Sequence, residues 1–196
     1  VMGYTPWLRQ YDFRKKIALI MGQKAQLWWD LPANDCYLLL REIYQIPNKE
    51  FQIRKKHLAA ILGVEDLMNI QIRRLSLGER MKMELMAALL HNPQVVFFDE
   101  PTIGLDLTAQ RAIGKFIKED QDEHRPAMIL TSHYMEDIEQ LCKRIIILRE
   151  GQIVYDGQLS QVVNRFAKHK LLSVTTTQEG LLGKTASDFA QYGDVV

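Results

Sequence analysis

The chain is short of cysteine, of net charge and of long apolar runs, and each shortage closes off a class of protein. Its only cysteines, Cys36 and Cys142, lie far apart and match no metal-ligand spacing. That excludes a disulfide scaffold and suits structural thiols in a reducing compartment. The formal net charge is +1, with no block of like charge, so nothing in the balance asks for nucleic acid or an anionic membrane. The longest apolar runs, such as Ile145-Ile146-Ile147-Leu148, fall far short of the ~20 residues of a membrane span. No internal repeat or low-complexity segment breaks the pattern. What is present is ordinary globular composition, 47% hydrophobic and 25% charged over 196 residues, enough for one domain or a domain with a small appendage.

The most informative stretch is Val95-Val96-Phe97-Phe98-Asp99-Glu100-Pro101-Thr102-Ile103-Gly104-Leu105-Asp106. A short run rich in Val and Phe predicts a strand buried on both faces of a parallel sheet. In open α/β sheets the chemistry lies just beyond the carboxyl ends of the strands, where Asp99 and Glu100 emerge. Successive strand side chains point to opposite sides, so one carboxylate can face a metal and the other a water. A carboxylate pair and a proline are also ordinary punctuation between a strand and a helix.

Two further apolar runs end in polar residues. Ile17–Met21 predicts a buried strand that ends at Gly22-Gln23, and Ala127–Thr131 predicts another that ends at Ser132-His133. Gln26 competes with Gln23 as the polar group after the first. Residues 1–16 read as a loop and an exposed turn. Residues 35–62 read as two helices parted by Ile46-Pro47-Asn48, with Arg54, Lys55 and Lys56 as a solvated face. Helices are also predicted from Leu107 to about Asp120 and over Met135–Leu141. Arg144–Arg149 and Gln152–Tyr155 read as strands joined at Glu150-Gly151. The remaining residues, 158–196, read as a small C-terminal extension with a helix over Leu159–Phe166 and a strand over Leu171–Thr176.

Between the helical segment and Val95 lies Leu75-Ser76-Leu77-Gly78-Glu79-Arg80, followed by a helix to Leu90 or His91. Ser76 with Glu79 three residues on is a capping box. A serine hydroxyl and free backbone N–H groups at a helix start also form an anion site, so both readings stand together.

In this order the motifs resemble those of ATP-binding cassette (ABC) ATPases. Val95–Asp106 resembles the Walker B motif and D-loop, Gln23 the Q-loop, Leu75–Arg80 the signature usually written LSGGQ, and His133 the switch histidine. Leu77 and Glu79 depart from the usual signature. The resemblance covers about residues 1–157 and implies an α/β fold, a P-loop NTPase-like parallel sheet with an inserted α-helical subdomain at about 28–92. It also implies ATP and Mg²⁺ as cofactors. Asp99 and Gln23 would serve the metal, Glu100 and His133 catalysis, and Gln23, Ser76, Gly78 and Asp106 the nucleotide. The expected partners are a second nucleotide-binding subunit in a head-to-tail dimer and separate transmembrane permease subunits. The permease would dock near Trp28 and Trp29, two adjacent aromatics that cannot both face one core, and no nucleic acid is expected. The expected location is the cytoplasmic face of the membrane, held peripherally.

The stretches "GQKAQLWWDLP" and "LSLGER" resemble the branch serving drug or sodium export. The phosphate-cradling GxxxxGK[ST] of the family is not among these residues; Gly183-Lys184-Thr185 lacks its upstream glycine and follows the Walker B stretch instead of preceding it. The sequence is therefore expected to be an N-terminally incomplete cassette whose P-loop precedes Val1. Two alternatives remain open: a soluble ABC ATPase outside transport, and a catalytically silent chain that binds a partner.

Overall fold

A computed structural model describes residues 1–22 and 24–166. The chain divides into two compact units, Val1–Ile145 and Ile146–Val196. The first holds a three-stranded parallel sheet in the order β1 (Ile17–Met21), β2 (Val95–Asp99), β3 (Ala127–Thr131). The register is level: Ile17, Val95 and Ala127 are aligned at one end, and Met21, Asp99 and Thr131 at the other. The carboxyl ends of all three strands therefore finish together, which sets up a shared edge for polar groups.

Parallel neighbours need crossover connections. The first, from β1 to β2, carries α2 (Ala33–Tyr44), α3 (Asn48–Leu62) and α4 (Leu77–Leu89); the second carries α5 (Leu107–His124). A short helix α1 (Tyr11–Arg14) precedes β1, where the sequence predicts only a loop and a turn. The helix ends follow local chemistry. Helix α2 stops at Gln45 and α3 at Gly63, both left-handed, which frees the last carbonyls for N–H groups beyond the helix. Helix α4 opens with the capping box of Ser76 and Glu79, and α5 with Asp106, whose carboxylate accepts from the Ala109 N–H at 2.9 Å.

Helix α4 is the centre of the core. It packs against β1, α2, α3 and α5, and buries Met81, Met83, Leu85, Met86 and Leu89. Tyr37 from α2, Phe51 and Leu58 from α3, and Ile113 and Phe116 from α5 complete the cluster. Full burial of each large apolar side chain stabilises the fold by about 1.5–3 kcal/mol.

The expectation of a strand buried on both faces holds for most of β2, where Val95, Val96 and Phe98 are buried and Phe97 is half-buried. It does not extend to the neighbouring strands, which are covered mainly on the face of Ala18, Ile20, Val96 and Phe98. On the other face the register aligns Leu19, Phe97 and Ile129 in one row, with Leu19 46% and Ile129 57% exposed and Phe97 half-buried. An all-apolar run does not reveal whether a second layer is there to cover it.

β4 (Arg144–Arg149) and β5 (Gln152–Gln158) pair as a two-stranded sheet around Glu150 and Gly151, both at positive φ. In the second unit β5 packs against α7 (Leu159–Phe166). Gln23 and the strand expected over Leu171–Thr176 lie outside the described residues.

Candidate functional site

Asp99 ends β2, and the chain turns sharply at once. Glu100 adopts φ +50, an uncommon backbone for a residue with a side chain and one that concentrates at functional sites. Its N–H donates to both the carbonyl and the hydroxyl of Thr131, at 3.1 and 3.2 Å, which holds the turn against the end of β3. The Thr131 hydroxyl in turn donates to Asp99 Oδ1 at 2.8 Å, orienting that carboxylate.

Glu100 Oε1 lies 2.6 Å from Nε2 of His133, so the two residues singled out as catalytic are in direct contact although separated by a helix and a strand. The imidazole is largely exposed and the carboxylate mostly covered. A small cavity of about 180 Å³ opens beside them, lined by Glu100, Thr102, Ile103, Ser132, His133 and Tyr134.

Gly22 packs tightly against this turn. Its N–H donates to the Asp99 carbonyl at 2.9 Å, and a Cβ placed on it would lie 2.0 Å from the Glu100 carbonyl oxygen. Only glycine allows the loop leaving β1 to pass so close.

The other predicted residues form a separate group at the starts of α4 and α5. Ser76 caps α4, and its N–H and hydroxyl both donate to Glu79 Oε2 at 2.8 Å. Those two bonds hold the Glu79 carboxyl below its ordinary range. Gly78 sits against α5, where an added Cβ would meet the Ala109 Cβ at 3.0 Å. Asp106 caps the same α5 end. Gly104, at φ +73, faces the Leu77 side chain.

Sequence reasoning missed three groups. Thr131 was visible only as the last residue of a strand. Asp137 and Glu84 sit in helices, where a carboxylate reads as a solvated face, yet both are buried. Glu84 accepts the N–H groups of Gln26 and Leu27 at 2.9 and 3.0 Å, and burial pushes its carboxyl above the usual range.

The oxygen chemistry of the β2 end suits Mg²⁺. Magnesium is usually held by one or two carboxylates together with phosphate oxygens and water, not by an all-protein cage. Asp99 offers a carboxylate with one oxygen fixed by Thr131, and no cluster of three or more His, Cys, Asp or Glu fit for a metal occurs among the described residues.

Comparison with known proteins bears on the arrangement as a whole. Residues 37–136 match a family model described as "AAA domain, putative AbiEii toxin, Type IV TA system". The chain is 28% identical over 162 residues to the ABC transporter ATP-binding protein NatA of Bacillus subtilis, covering 83% of this chain and 65% of that protein. The chain belongs to the ABC family of ATP-binding proteins. A second relative, the linearmycin resistance ATP-binding protein LnrL of Bacillus subtilis, is 27% identical over 177 residues, covering 90% of this chain and 56% of the relative. The chain thus spans about two thirds or less of the length of these ABC proteins.

Solved ABC structures share the fold. An ATP-binding subunit of an ABC transporter superposes with a TM-score of 0.74 at 21% identity, covering 98% of this chain and 74% of that one. CbiO1 of Clostridium perfringens, part of the ABC transporter complex cbiONQ, gives 0.68 at 23% identity, covering 79% and 61%. The expected architecture, a parallel sheet of the ABC ATPase type with helices inserted between its strands, is the one present. No helix among the described residues is long and apolar enough to cross a membrane.

Proposed function

We propose that these residues are the hydrolytic part of the ATP-binding subunit of an ABC transporter, with residues 1–157 contributing a partial nucleotide-binding domain. The observation that carries the reading is the Glu100–His133 contact at 2.6 Å beside Asp99, at the carboxyl end of a parallel sheet. Such an arrangement sets a carboxylate to polarise water and an imidazole to hold the terminal phosphate in line.

In this reading Asp99, with Gln23, serves Mg²⁺; the ion, when bound, neutralises charge on the transferred phosphoryl group. Glu100 takes the proton of the attacking water, and His133, hydrogen-bonded to Glu100, fixes that carboxylate and meets the phosphate. Ser76 and Gly78 contact the nucleotide held by a second subunit in a head-to-tail dimer, and Asp106 ties the two sites together. The 196 residues contain no GxxxxGK[ST], so the reading assigns the phosphate cradle to none of them.

Separate permease subunits hold the protein at the cytoplasmic face of the membrane. Trp28 and Trp29, 42% and 48% exposed, offer them a docking surface. Trp29 is steadied there by the Arg80 guanidinium, 4.6 Å from its ring. Export is the favoured direction, since one relative is named for resistance to linearmycin.

The test is Glu100→Gln in the native chain with its partners. Phosphate release from ATP falls by about 10²–10⁴-fold, the usual worth of a general base, while nucleotide still binds. Near-normal turnover in that variant overturns the reading.

A further inference from the structure

The site brings Glu100 and His133 within 2.6 Å, yet the two side chains are carried by different segments, one after β2 and one after β3. Something must fix the distance between those segments. Their backbones share the Glu100 N–H bonds to Thr131, but Thr131 lies before the turn that carries His133.

A second link lies behind the turn. Asp137, in the first turn of α6 (Met135–Leu141), is only 8% exposed. Its Oδ2 accepts the Thr102 hydroxyl at 2.5 Å and the Ser132 hydroxyl at 3.0 Å. Thr102 is itself buried and stands two residues beyond Glu100; Ser132 immediately precedes His133. The Ser132 oxygen also accepts the Tyr134 N–H at 3.0 Å, so it grips the backbone on both sides of the imidazole. Thr102, Ser132 and Tyr134 line the same cavity as Glu100 and His133.

An acidic residue at a helix start is usually explained by the helix itself, as a partner for its free N–H groups. That account does not cover Asp137, because the oxygen is taken up by two hydroxyls from two other segments. A buried carboxylate is retained against its desolvation only where such bonds satisfy it.

We propose that Asp137 is a positioning residue that sets the Glu100–His133 separation by holding Thr102 and Ser132 on one oxygen. The proposal rests on the hydrolytic reading above, but its geometry does not. Misplacement of a catalytic pair by about 1 Å costs on the order of 10²-fold in rate.

In the native chain, Asp137→Ala is expected to lower kcat for ATP hydrolysis by about 10²-fold with KM for ATP unchanged. Asp137→Asn, which keeps an acceptor oxygen, recovers most of that loss. In a His133→Ala background the Asp137→Ala change adds little, because the group it positions is gone. An equal loss in both backgrounds, or an unchanged kcat in Asp137→Ala, overturns the proposal. Where Asp137→Ala fails to fold, Thr102→Val removes one of the two hydroxyls at nearly constant shape and is put through the same cycle.

A second readout needs no turnover. In protein labelled with ¹⁵N at histidine, the His133 Nε2 resonance shifts in Asp137→Ala and returns in Asp137→Asn. An unmoved resonance also overturns the proposal. Normal hydrolysis by Glu100→Gln would instead remove the hydrolytic reading and leave the resonance as the deciding result.

Discussion

The Glu84 carboxylate and the backbone N–H of Leu27 meet at 3.0 Å, joining the helix that begins at Ser76 to the loop that leaves β1. The same oxygen accepts from Gln26, so one side chain anchors two consecutive amides. Glu84→Ala strands the buried Leu27 N–H and the part-buried Gln26 N–H and should cost about 1–3 kcal/mol, read as a fall in the urea midpoint. Glu84→Gln keeps an acceptor and should stay within about 1 kcal/mol of the parent. Because burial raises the carboxyl of Glu84, its contribution is complete below the ordinary carboxylate range and declines as pH rises through its folded value. The Gln variant should therefore lose less stability than the parent as pH rises from acid. Equal loss from Ala and Gln would show that the side chain only fills space.

Gly22→Ala tests the close approach behind Glu100. The new methyl meets the Glu100 carbonyl and the Ile103 side chain, where glycine leaves just enough room. Overpacking of this kind costs about 1–3 kcal/mol. In the native chain, hydrolysis should fall further than the change in melting temperature explains, since the displaced atom belongs to the turn proposed to carry the chemistry. An alanine variant with parental stability and rate would mean that the turn relaxes freely.

Glu79 occupies the groups that a phosphate would need. Its carboxylate sits on the N–H and hydroxyl of Ser76, and those bonds keep it ionised. In the proposed head-to-tail dimer, a nucleotide phosphate arriving from the partner subunit would have to displace it. Glu79→Gln preserves the capping box but removes the negative charge. The KM for ATP of the native protein should drop by roughly fivefold, equivalent to about 1 kcal/mol of one relieved contact. A raised KM would show that Glu79 helps to hold the nucleotide instead of competing with it.

His91 gives the fold an acid-sensitive point. Its ring stacks on Tyr44 with centroids 3.9 Å apart and bonds to the Ile17 carbonyl through Nε2, while Nδ1 is buried without a partner. Burial lowers the imidazole below its ordinary value of 6.5. A depressed value means that the stability is present above 6.5 and is lost as pH falls through the folded value. Melting temperature should decline on acidification below neutral, and His91→Phe should flatten that decline. An identical pH profile in the variant would locate the sensitive group elsewhere.

The sequence was most legible where hydrophobic period and punctuation agree. The strands over Ile17–Met21 and Ala127–Thr131, the break at Pro47 and the Ser76–Glu79 cap were all readable for that reason. The pairing of Glu100 with His133 was readable only through the order of motifs. Periodicity says nothing about which strands are neighbours. Asp137 and Glu84 were not readable at all, because their partners are hydroxyls and amides of other segments, which the folded chain alone brings to them. The exposure of Leu19 and Ile129 is not readable from their apolar runs, since such side chains fix hydrophobicity but not what lies above them.

The row of Leu19, Phe97 and Ile129 has a practical consequence. Three large apolar side chains abreast, on strands whose polar edge holds the candidate chemistry, form a sticky stripe on the 196-residue chain prepared alone. Such a stripe takes up hydrophobic dyes and draws molecules together as concentration rises. Sedimentation of the isolated chain should therefore depend on concentration, and replacing Leu19 and Ile129 with threonine should abolish that dependence while leaving the helix-packed face of the sheet untouched.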